Sequence, residues 1–265
     1  MDTTCVMSVE EVIKDWPGKS DSDIASDIFN KYQLTPDVQT TTVTHQEKQS
    51  TILQRESDIQ FLKRLARRNG YECGVTGTTG YFGKPNLTGT PLPALAAHFA
   101  DDTNLNSFDV DWNVLLPAGF EMDEIDFLTK QTLTASATQS SQTLLGSQCP
   151  GQLQIPNGAQ SKVFLRHLVA TGVPEMTAMV NGAADDAQWF IEGRGEVDGN
   201  KYDSLLHVRQ RVPIKGVGES FSGMYYLTSV KHKYTVDRFV MNFTARRNAT
   251  GSQASDFGGG GGLPF

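Results

Sequence analysis

The sequence has few of the features that mark the best-known functional classes. It contains three cysteines, Cys5, Cys73 and Cys149, and no CxxC pair, so neither a zinc site nor a disulfide framework is expected. No apolar run approaches the roughly 20 residues of a membrane-spanning helix. The first residues carry acids and no basic stretch, which is not how a secretory signal begins. We therefore expect a chain made and kept in the cytoplasm.

An excess of positive charge is also missing. Basic residues number 23 against 30 acidic ones, so the net charge is −7. A domain that grips phosphate backbones usually has the opposite balance, because each neutralised phosphate needs a Lys or an Arg. This composition weighs against nucleic acid as the main partner.

Catalytic motifs are missing too. There is no GxSxG, no HExxH and no plausible phosphate-binding glycine loop, and the five histidines are scattered. The pairs Asp101–Asp102 and Asp185–Asp186 are adjacent, and adjacent residues on a strand point to opposite faces. Glu192 and Glu196 could share one strand face, without a further catalytic partner. We predict no catalytic residue, no cofactor and no metal ligand.

Two amphipathic helices are present in the first 70 residues. The first covers 20–33, with Ser20 or Ser22 as the N-cap. The second starts with a capping box from Ser57 to Gln60 and ends at a left-handed Asn69–Gly70 cap. Four of its basic residues lie opposite the apolar face or in the last turns, where they complement the helix dipole: Lys63, Arg64, Arg67 and Arg68. This pattern indicates a solvated helix face rather than a nucleic-acid patch.

The remainder is predominantly β. Strands are predicted at 40–45, in a hairpin at 71–84, at 92–99, at 106–117, as one long strand at 121–137, at 189–199 and in a terminal hairpin at 225–248; a helix weakened by Gly182 is predicted at 175–188. In the terminal hairpin, alternation places Tyr226, Thr228, Val230, His232 and Tyr234 on one face, and it likewise aligns Phe239, Met241, Phe243 and Ala245. The fold class is mainly β with an α+β insertion. We expect a domain at 1–117, a second at 118–250 with a polar loop at 138–159, and a flexible Gly-rich tail at 251–265.

Three segments carry a resemblance to a known family: SDSDIASDIFNKYQL, QRESDIQFLKRLARRNGYECGV and FSGMYYLTSVKHKYTVDRFVMNFTARRNA. Together they resemble the phage late control protein D family, the baseplate hub proteins of contractile tails and contractile injection systems. The same fold forms the base of the VgrG spike of type VI secretion. The resemblance extends over residues 8 to 250.

The resemblance implies a structural protein with two β-barrel-like tube domains and a small subdomain of a helix pair and a hairpin. The first barrel is expected to be incomplete, because family members carry more β-structure before the SDSDIASDIF helix. A homotrimer would join a sixfold tail tube to a threefold spike as a symmetry adaptor. The implied partners are a spike protein, a tail tube or tube-initiator protein, other baseplate components, and cargo or DNA passing through the lumen. The finished particle is a phage tail, a tailocin or an extracellular injection system.

Within this resemblance, two groups of residues are candidates for subunit contacts. The first comprises arginines around the second helix: Arg55, Arg64, Arg67 and Arg68. The second lies on the terminal hairpin: Tyr226, His232, Tyr234, Phe239 and Phe243. The 120–137 strand is expected to form barrel wall and subunit contacts, and the tail to dock onto the spike. Two other functions stay open as alternatives, a tail-associated cell-wall hydrolase acting through Glu192 or Asp102, and a nucleic-acid-binding module.

Overall fold

A computed structural model describes residues 3–45, 52–98, 100–113, 117, 119–126, 128–138, 140–150, 162–166, 168–253 and 256. The predicted mainly β fold is confirmed. The helices in this part of the chain are α1 Thr3–Met7, α2 Asp21–Lys31, α3 Asp58–Arg68 and α4 Val173–Ala187, with a 3₁₀ turn at Ala100–Asp102. The strands are β1 Glu11–Asp15, β2 Thr35–Val38, β3 Leu53–Ser57, β4 Glu72–Thr76, β5 Thr79–Gly83, β6 Leu95–Ala96, β7 Leu105–Trp112, β8 Gly119–Ile125, β9 Thr132–Ala137, β10 Lys162–Phe164, β11 Ile191–Asp198, β12 Arg211–Lys215, β13 Gly223–Tyr234 and β14 Phe239–Arg247.

The chain divides into two compact units, each built from separate stretches of sequence. Unit 1 contains residues 1–85, 117–140 and 161–186, and unit 2 contains residues 86–116, 141–160 and 187–265. The predicted boundary at residue 117 stays a prediction. Most of the predicted tail and the end of the predicted polar loop lie outside the described residues.

Unit 1 forms its core between the helices and two small sheets. The buried face of α2 presents Ile24, Ile28 and Phe29, and α3 contributes Leu62 and Leu65. The antiparallel ribbon β1–β3 and the sheet β2–β5–β4 belong to this unit, as does the sheet β10–β8–β9. The apolar positions fall at helical spacing, so the sequence pattern correctly identified both helices.

Only one of the two expected helix caps forms. In α2 the Ser20 hydroxyl accepts a hydrogen bond from the Asp23 backbone N–H at 3.1 Å, and the Asp23 carboxylate accepts one from the Ser20 N–H. In α3 the Ser57 side chain makes no cap bond, so the predicted capping box is wrong there. Ser57 is also the last residue of β3, paired with Glu11, and its hydroxyl is buried. The Gly70 end of α3 is as predicted, with φ of +65°.

Two predicted strands differ in the structure, and a predicted hairpin is confirmed. The 40–45 stretch is not a strand; the strand lies earlier, at β2, which pairs only with β5 and therefore tolerates Pro36. The single strand at 121–137 is a hairpin, β8 and β9, because Asp126 nucleates a turn. Its carboxylate accepts from the Leu128 N–H and the Thr129 hydroxyl. The predicted 71–84 hairpin is confirmed, with Gly77 at φ of +58°.

Gly182 lies within α4 and has a packing role, although glycine weakens a helix. A Cβ at this position in α4 would lie 2.7 Å from the Gly70 nitrogen and 3.2 Å from the Arg68 carbonyl oxygen. The α4 helix therefore approaches the end of α3 at backbone distance, and both glycines are needed for that contact. The buried Arg68–Glu175 ion pair joins the same two helices.

Unit 2 is built on a six-stranded sheet in the order β6–β12–β13–β14–β11–β7, curled into a half-barrel. Asn104 brings its two edges together at one end. The Asn104 side chain accepts from the Ala96 N–H and donates to the Ala94 carbonyl, and its own carbonyl accepts from the Asp198 N–H. Aliphatic and aromatic side chains from every strand fill the inner side, among them Leu95, Leu105, Ile191, Val212, Tyr225, Leu227, Met241 and Phe243.

Candidate assembly interface

The inner and outer faces of the unit 2 sheet are distinguished by its glycines. A Cβ on Gly193 would collide with Phe108, and one on Gly195 with Phe243. Both glycines therefore face the filled inner side, where the aromatic rings take their space. The neighbouring residues of β11, Glu192, Arg194 and Glu196, face outward. The outer face, rather than the inside of the sheet, is what this unit offers to other molecules.

The outer face carries a ladder of ion pairs. Arg194 bonds Glu192 at 2.6 Å and Asp111 at 3.0 Å, Arg246 reaches Glu192 at 3.4 Å, and Arg238 bonds Glu196 at 2.8 Å. These side chains are substantially exposed, so each pair contributes only about 0–1 kcal/mol to stability. Their effect is to give the face a defined pattern of charge.

A bulge in β13 divides the predicted face of the terminal hairpin. Register with β14 shifts between Leu227 and Ser229, so residues before and after the bulge change faces. The prediction that Tyr226 and His232 share a face is therefore wrong. Tyr226 packs with Trp189, Met224 and Leu145 on one side of the sheet. His232 lies on the inner side near Phe239, and its Nε2 is 3.0 Å from the Leu206 carbonyl oxygen.

The five hairpin candidates differ sharply in exposure. Tyr226 and Phe243 are 1% and 4% exposed, so both lie in the core of unit 2. Tyr234 is 68% exposed at the end of β13, and its ring stacks on Phe239 with centroids 4.3 Å apart. Phe239 and His232 are partly buried beside it. The accessible part of the hairpin is thus its end, around Tyr234.

The four arginine candidates also separate into two pairs. Arg64 bonds the Glu56 carboxylate at 2.6 Å and the Leu53 carbonyl at 2.9 Å, which ties α3 to β3. Arg68 is largely buried against Glu175, and this burial lowers the pKa of its guanidinium. Arg55 and Arg67 are exposed. Arg64 and Arg68 thus make contacts within unit 1, and Arg55 and Arg67 are the accessible pair.

Two exposed apolar groups escaped the sequence analysis. Ile13 and Leu53 lie on the outward face of the β1–β3 ribbon, and Ile125 and Leu128 lie at the turn of the β8–β9 hairpin. The ribbon was missed because 49–56 has loop-like composition. The turn was missed because apolar and polar residues alternate on both sides of it, as they would in one continuous strand.

Several ionisable groups of the described residues are buried or line a cleft. In the part of the chain that the structure describes, no group of three or more His, Cys, Asp or Glu residues is placed to hold a metal ion. The buried carboxylates of Asp21, Asp58 and Glu175 each accept hydrogen bonds from neighbouring side chains. Asp102 lines a polar cleft of about 290 Å³ with Lys201 and Lys215, and Glu192 is not part of that cleft.

Comparison with solved structures identifies the fold. The chain is similar to a tail protein from Neisseria meningitidis MC58, with a TM-score of 0.65 and 12% identity over 91% of this chain and 71% of that one. It is similar to the 43 kDa tail protein of prophage MuSo2 from Shewanella oneidensis, with a TM-score of 0.62 and 14% identity over 93% and 72%. An E. coli component of the type VI secretion system gives a TM-score of 0.50 and 10% identity over 92% and 52%. The chain therefore has the fold of these tail proteins.

Sequence comparisons place the chain in a family. No curated protein matches it. Within the described residues, no helix combines the length and apolarity needed to cross a membrane. A family model described as the Alg8 N-terminal domain matches residues 1–235, which is most of the sequence. The chain belongs to the Alg8 N-terminal domain family.

Proposed function

We propose that this chain is a structural hub subunit in the baseplate of a contractile phage tail or contractile injection system. The observation that carries the proposal is the tail-protein fold, which extends over more than nine-tenths of the chain in the two most similar structures cited above. The late control protein D resemblance of the sequence adds the hub position to this fold. The protein would assemble in the cytoplasm and end as part of the particle.

The hub acts as a homotrimer that adapts a sixfold tail tube to a threefold spike. In each subunit two tube domains, with the boundary near residue 117, supply two of six similar positions in a ring. Because side chains fill the inner side of the unit 2 sheet, the lumen lies between subunits rather than within one sheet. Cargo or DNA passes through that lumen, and the chain itself catalyses no reaction.

The contacts of the hub use the exposed candidates. Arg55 and Arg67 on unit 1, and Tyr234 with Phe239 and His232 on unit 2, bind neighbouring subunits or the tube and spike proteins. Exposed aromatic and arginine side chains are the residue types that contribute most to protein interfaces. The outward charge pattern of β11 and β7 favours partners of complementary charge.

Native mass spectrometry of the purified full chain tests the proposal. The expected result is a trimer of about 87 kDa, three times the 29.0 kDa chain, that appears as a ring with a central opening by electron microscopy. Mixing with a tail tube protein and a spike protein from the same particle should give a ternary complex. A chain that stays monomeric at all concentrations and binds neither protein would contradict the proposal. Release of soluble fragments from peptidoglycan, abolished by Asp102→Asn, would instead support the hydrolase alternative.

A further inference from the structure

The turn of the β8–β9 hairpin presents two exposed apolar side chains. Ile125 and Leu128 are each 65% exposed. The turn is closed by hydrogen bonds from the Asp126 N–H to the Gln131 carbonyl at 2.9 Å and from the Lys130 N–H to the Asp126 carbonyl at 2.7 Å. The Asp126 carboxylate adds the two bonds described above. We call Ile125 and Leu128 on this turn the apolar tip.

The β1–β3 ribbon presents a second apolar group on its outward face. Ile13 is 84% exposed and lies opposite Arg55 in the antiparallel register, while Leu53 lies opposite Asp15. Ile13 and Leu53 are thus diagonal neighbours on one face, close enough for their side chains to form a joint surface. The other face of the ribbon, with Val12 and Gln54, lines a cleft against α2. We call Ile13 and Leu53 with Arg55 the ribbon face.

The charges that flank the apolar tip are opposite in sign to those that flank the ribbon face. On the hairpin, the β8 side carries Asp123 and Asp126, and the return side carries Lys130. On the ribbon, the β3 side carries the exposed Arg55. The β1 side carries the exposed acids Glu11 and Asp15. If the hairpin docks with β8 beside β3 and β9 beside β1, its β8 acids lie next to Arg55. Lys130 then lies next to the acids of β1.

We infer that the apolar tip of one subunit docks onto the ribbon face of a second copy of this chain. Ile125 and Leu128 cover Ile13 and Leu53, while Asp123 faces Arg55 of β3. Within a single chain both groups stay exposed, so the contact is made between copies. This inference rests on the proposed trimer and names the surfaces that hold it together.

The contact is heterologous, since the tip and the ribbon face are different surfaces. When each copy is rotated from the last by a whole-number fraction of a full turn, such contacts close into a ring. A two-fold pairing of tip with tip would bring the Asp123 and Asp126 carboxylates of both copies together, which like-charge repulsion disfavours. The charge pattern therefore selects tip-to-face association, and three copies can each use one tip and one face.

Native mass spectrometry and analytical ultracentrifugation of full-length variants test the contact. Ile125→Ser with Leu128→Ser removes the apolar tip, and Arg55→Glu reverses the charge of the ribbon face. Each should weaken trimer formation by at least about tenfold, because central apolar and arginine contacts dominate interface affinity. Val6→Ser is the matched control, since Val6 is a 53% exposed aliphatic residue of α1 that belongs neither to the two surfaces nor to the end of the terminal hairpin, and its trimer should match the wild type. Circular dichroism checks that every variant folds.

A charge exchange separates a direct contact from a general loss of stability. Asp123→Lys alone should weaken the trimer, and Asp123→Lys combined with Arg55→Glu in the same chain should regain much of the lost association. A wild-type trimer that persists in folded tip and ribbon variants would overturn this inference and leave the proposed hub intact. A wild-type chain that is monomeric at every concentration would overturn both the proposed trimer and this contact.

Discussion

Asp58 shows how a single buried carboxylate connects three elements of unit 1. It is the first residue of α3, and it accepts hydrogen bonds from Lys31 Nζ at 2.7 Å, the Tyr32 hydroxyl at 2.8 Å and Gln54 Nε2 at 2.6 Å. Burial alone would raise the pKa of Asp58, but these bonds outweigh it and lower the pKa below its ordinary value. The ionised form is therefore the one that the folded state prefers.

A pH dependence of stability follows from the lowered pKa of Asp58. A carboxyl with a depressed folded-state pKa stabilises the fold above its unfolded pKa of about 3.9, and the contribution is lost as the pH falls through the folded-state pKa. We expect Asp58→Asn to lower the free energy of unfolding by about 1–3 kcal/mol at pH 6. The difference in the free energy of unfolding between the variant and the wild type should become smaller below about pH 4. Urea unfolding from pH 6 to pH 3 measures it, and a difference independent of pH would contradict the assignment.

Arg247 is a buried charged residue that connects several segments of unit 2. Its side chain is fully buried, and the guanidinium donates to the carbonyls of Leu145, Ser222 and Gly251. A Cβ on Gly223 would occupy the space of the Arg247 side chain, which accounts for glycine there. Burial lowers the pKa of Arg247. The structure uses this buried charge to hold three segments through their carbonyl oxygens.

At the scale of elements, the two helices with eleven residues each form a natural comparison. Both begin after a serine, and local sequence predicts a cap for each. The Ser20 cap forms because its hydroxyl and the Asp23 carboxylate are free to reach the backbone. Ser57 belongs to a paired strand, so its hydroxyl is buried without a cap bond.

Alanine substitutions at the two serines should therefore have different effects. Ser20→Ala should lower the free energy of unfolding by about 1 kcal/mol, because it leaves an N-terminal amide of α2 without its acceptor. Ser57→Ala should be neutral or stabilising, because it removes a buried hydroxyl that has no hydrogen-bond partner among the described residues. Chemical unfolding of both variants measures the difference. Equal losses at the two positions would show that Ser57 does cap α3.

At the scale of the whole molecule, the aromatic residues that fill the core differ from those that are accessible for assembly. The hairpin candidates share aromatic character and strand alternation, yet Phe243 stacks near Phe108 in the filled side of the sheet while Tyr234 stands at its end. A residue can belong to the barrel wall without touching another subunit. The candidate contacts of the hub are accordingly the exposed positions.

Phe243→Ala should therefore reduce stability, whereas Tyr234→Ala should reduce assembly. Phe243→Ala should lower the free energy of unfolding by about 3–5 kcal/mol through the cavity that it leaves. Tyr234→Ala should change that energy by less than about 1 kcal/mol, since most of its side chain is in solvent. It should instead reduce the trimeric fraction or the binding of tube or spike protein. Thermal unfolding together with native mass spectrometry distinguishes the two. A strongly destabilised Tyr234→Ala with normal assembly would contradict the placement.

Local sequence was sufficient where the deciding interactions are local. The periodicity of Ile24, Ile28 and Phe29 predicted α2, Gly70 predicted the end of α3, and the alternation of Phe239, Met241 and Phe243 predicted the inner face of β14. These features depend on neighbours within a few positions in the chain.

Tertiary structure decided the features that depend on residues far apart in sequence. The Gly70–Gly182 approach, the closure of the sheet edges at Asn104 and the burial of Arg247 each join segments that no local period connects. The bulge after Leu227 and the turn at Asp126 changed which side chains face outward without disturbing the alternation of polar and apolar residues. The sequence by itself therefore determined the β-rich class and the helices, because these follow from short-range hydrogen bonding and periodicity. Only the packed chain decided which aromatic, arginine and aliphatic side chains stay exposed for assembly, because exposure depends on what the rest of the chain covers.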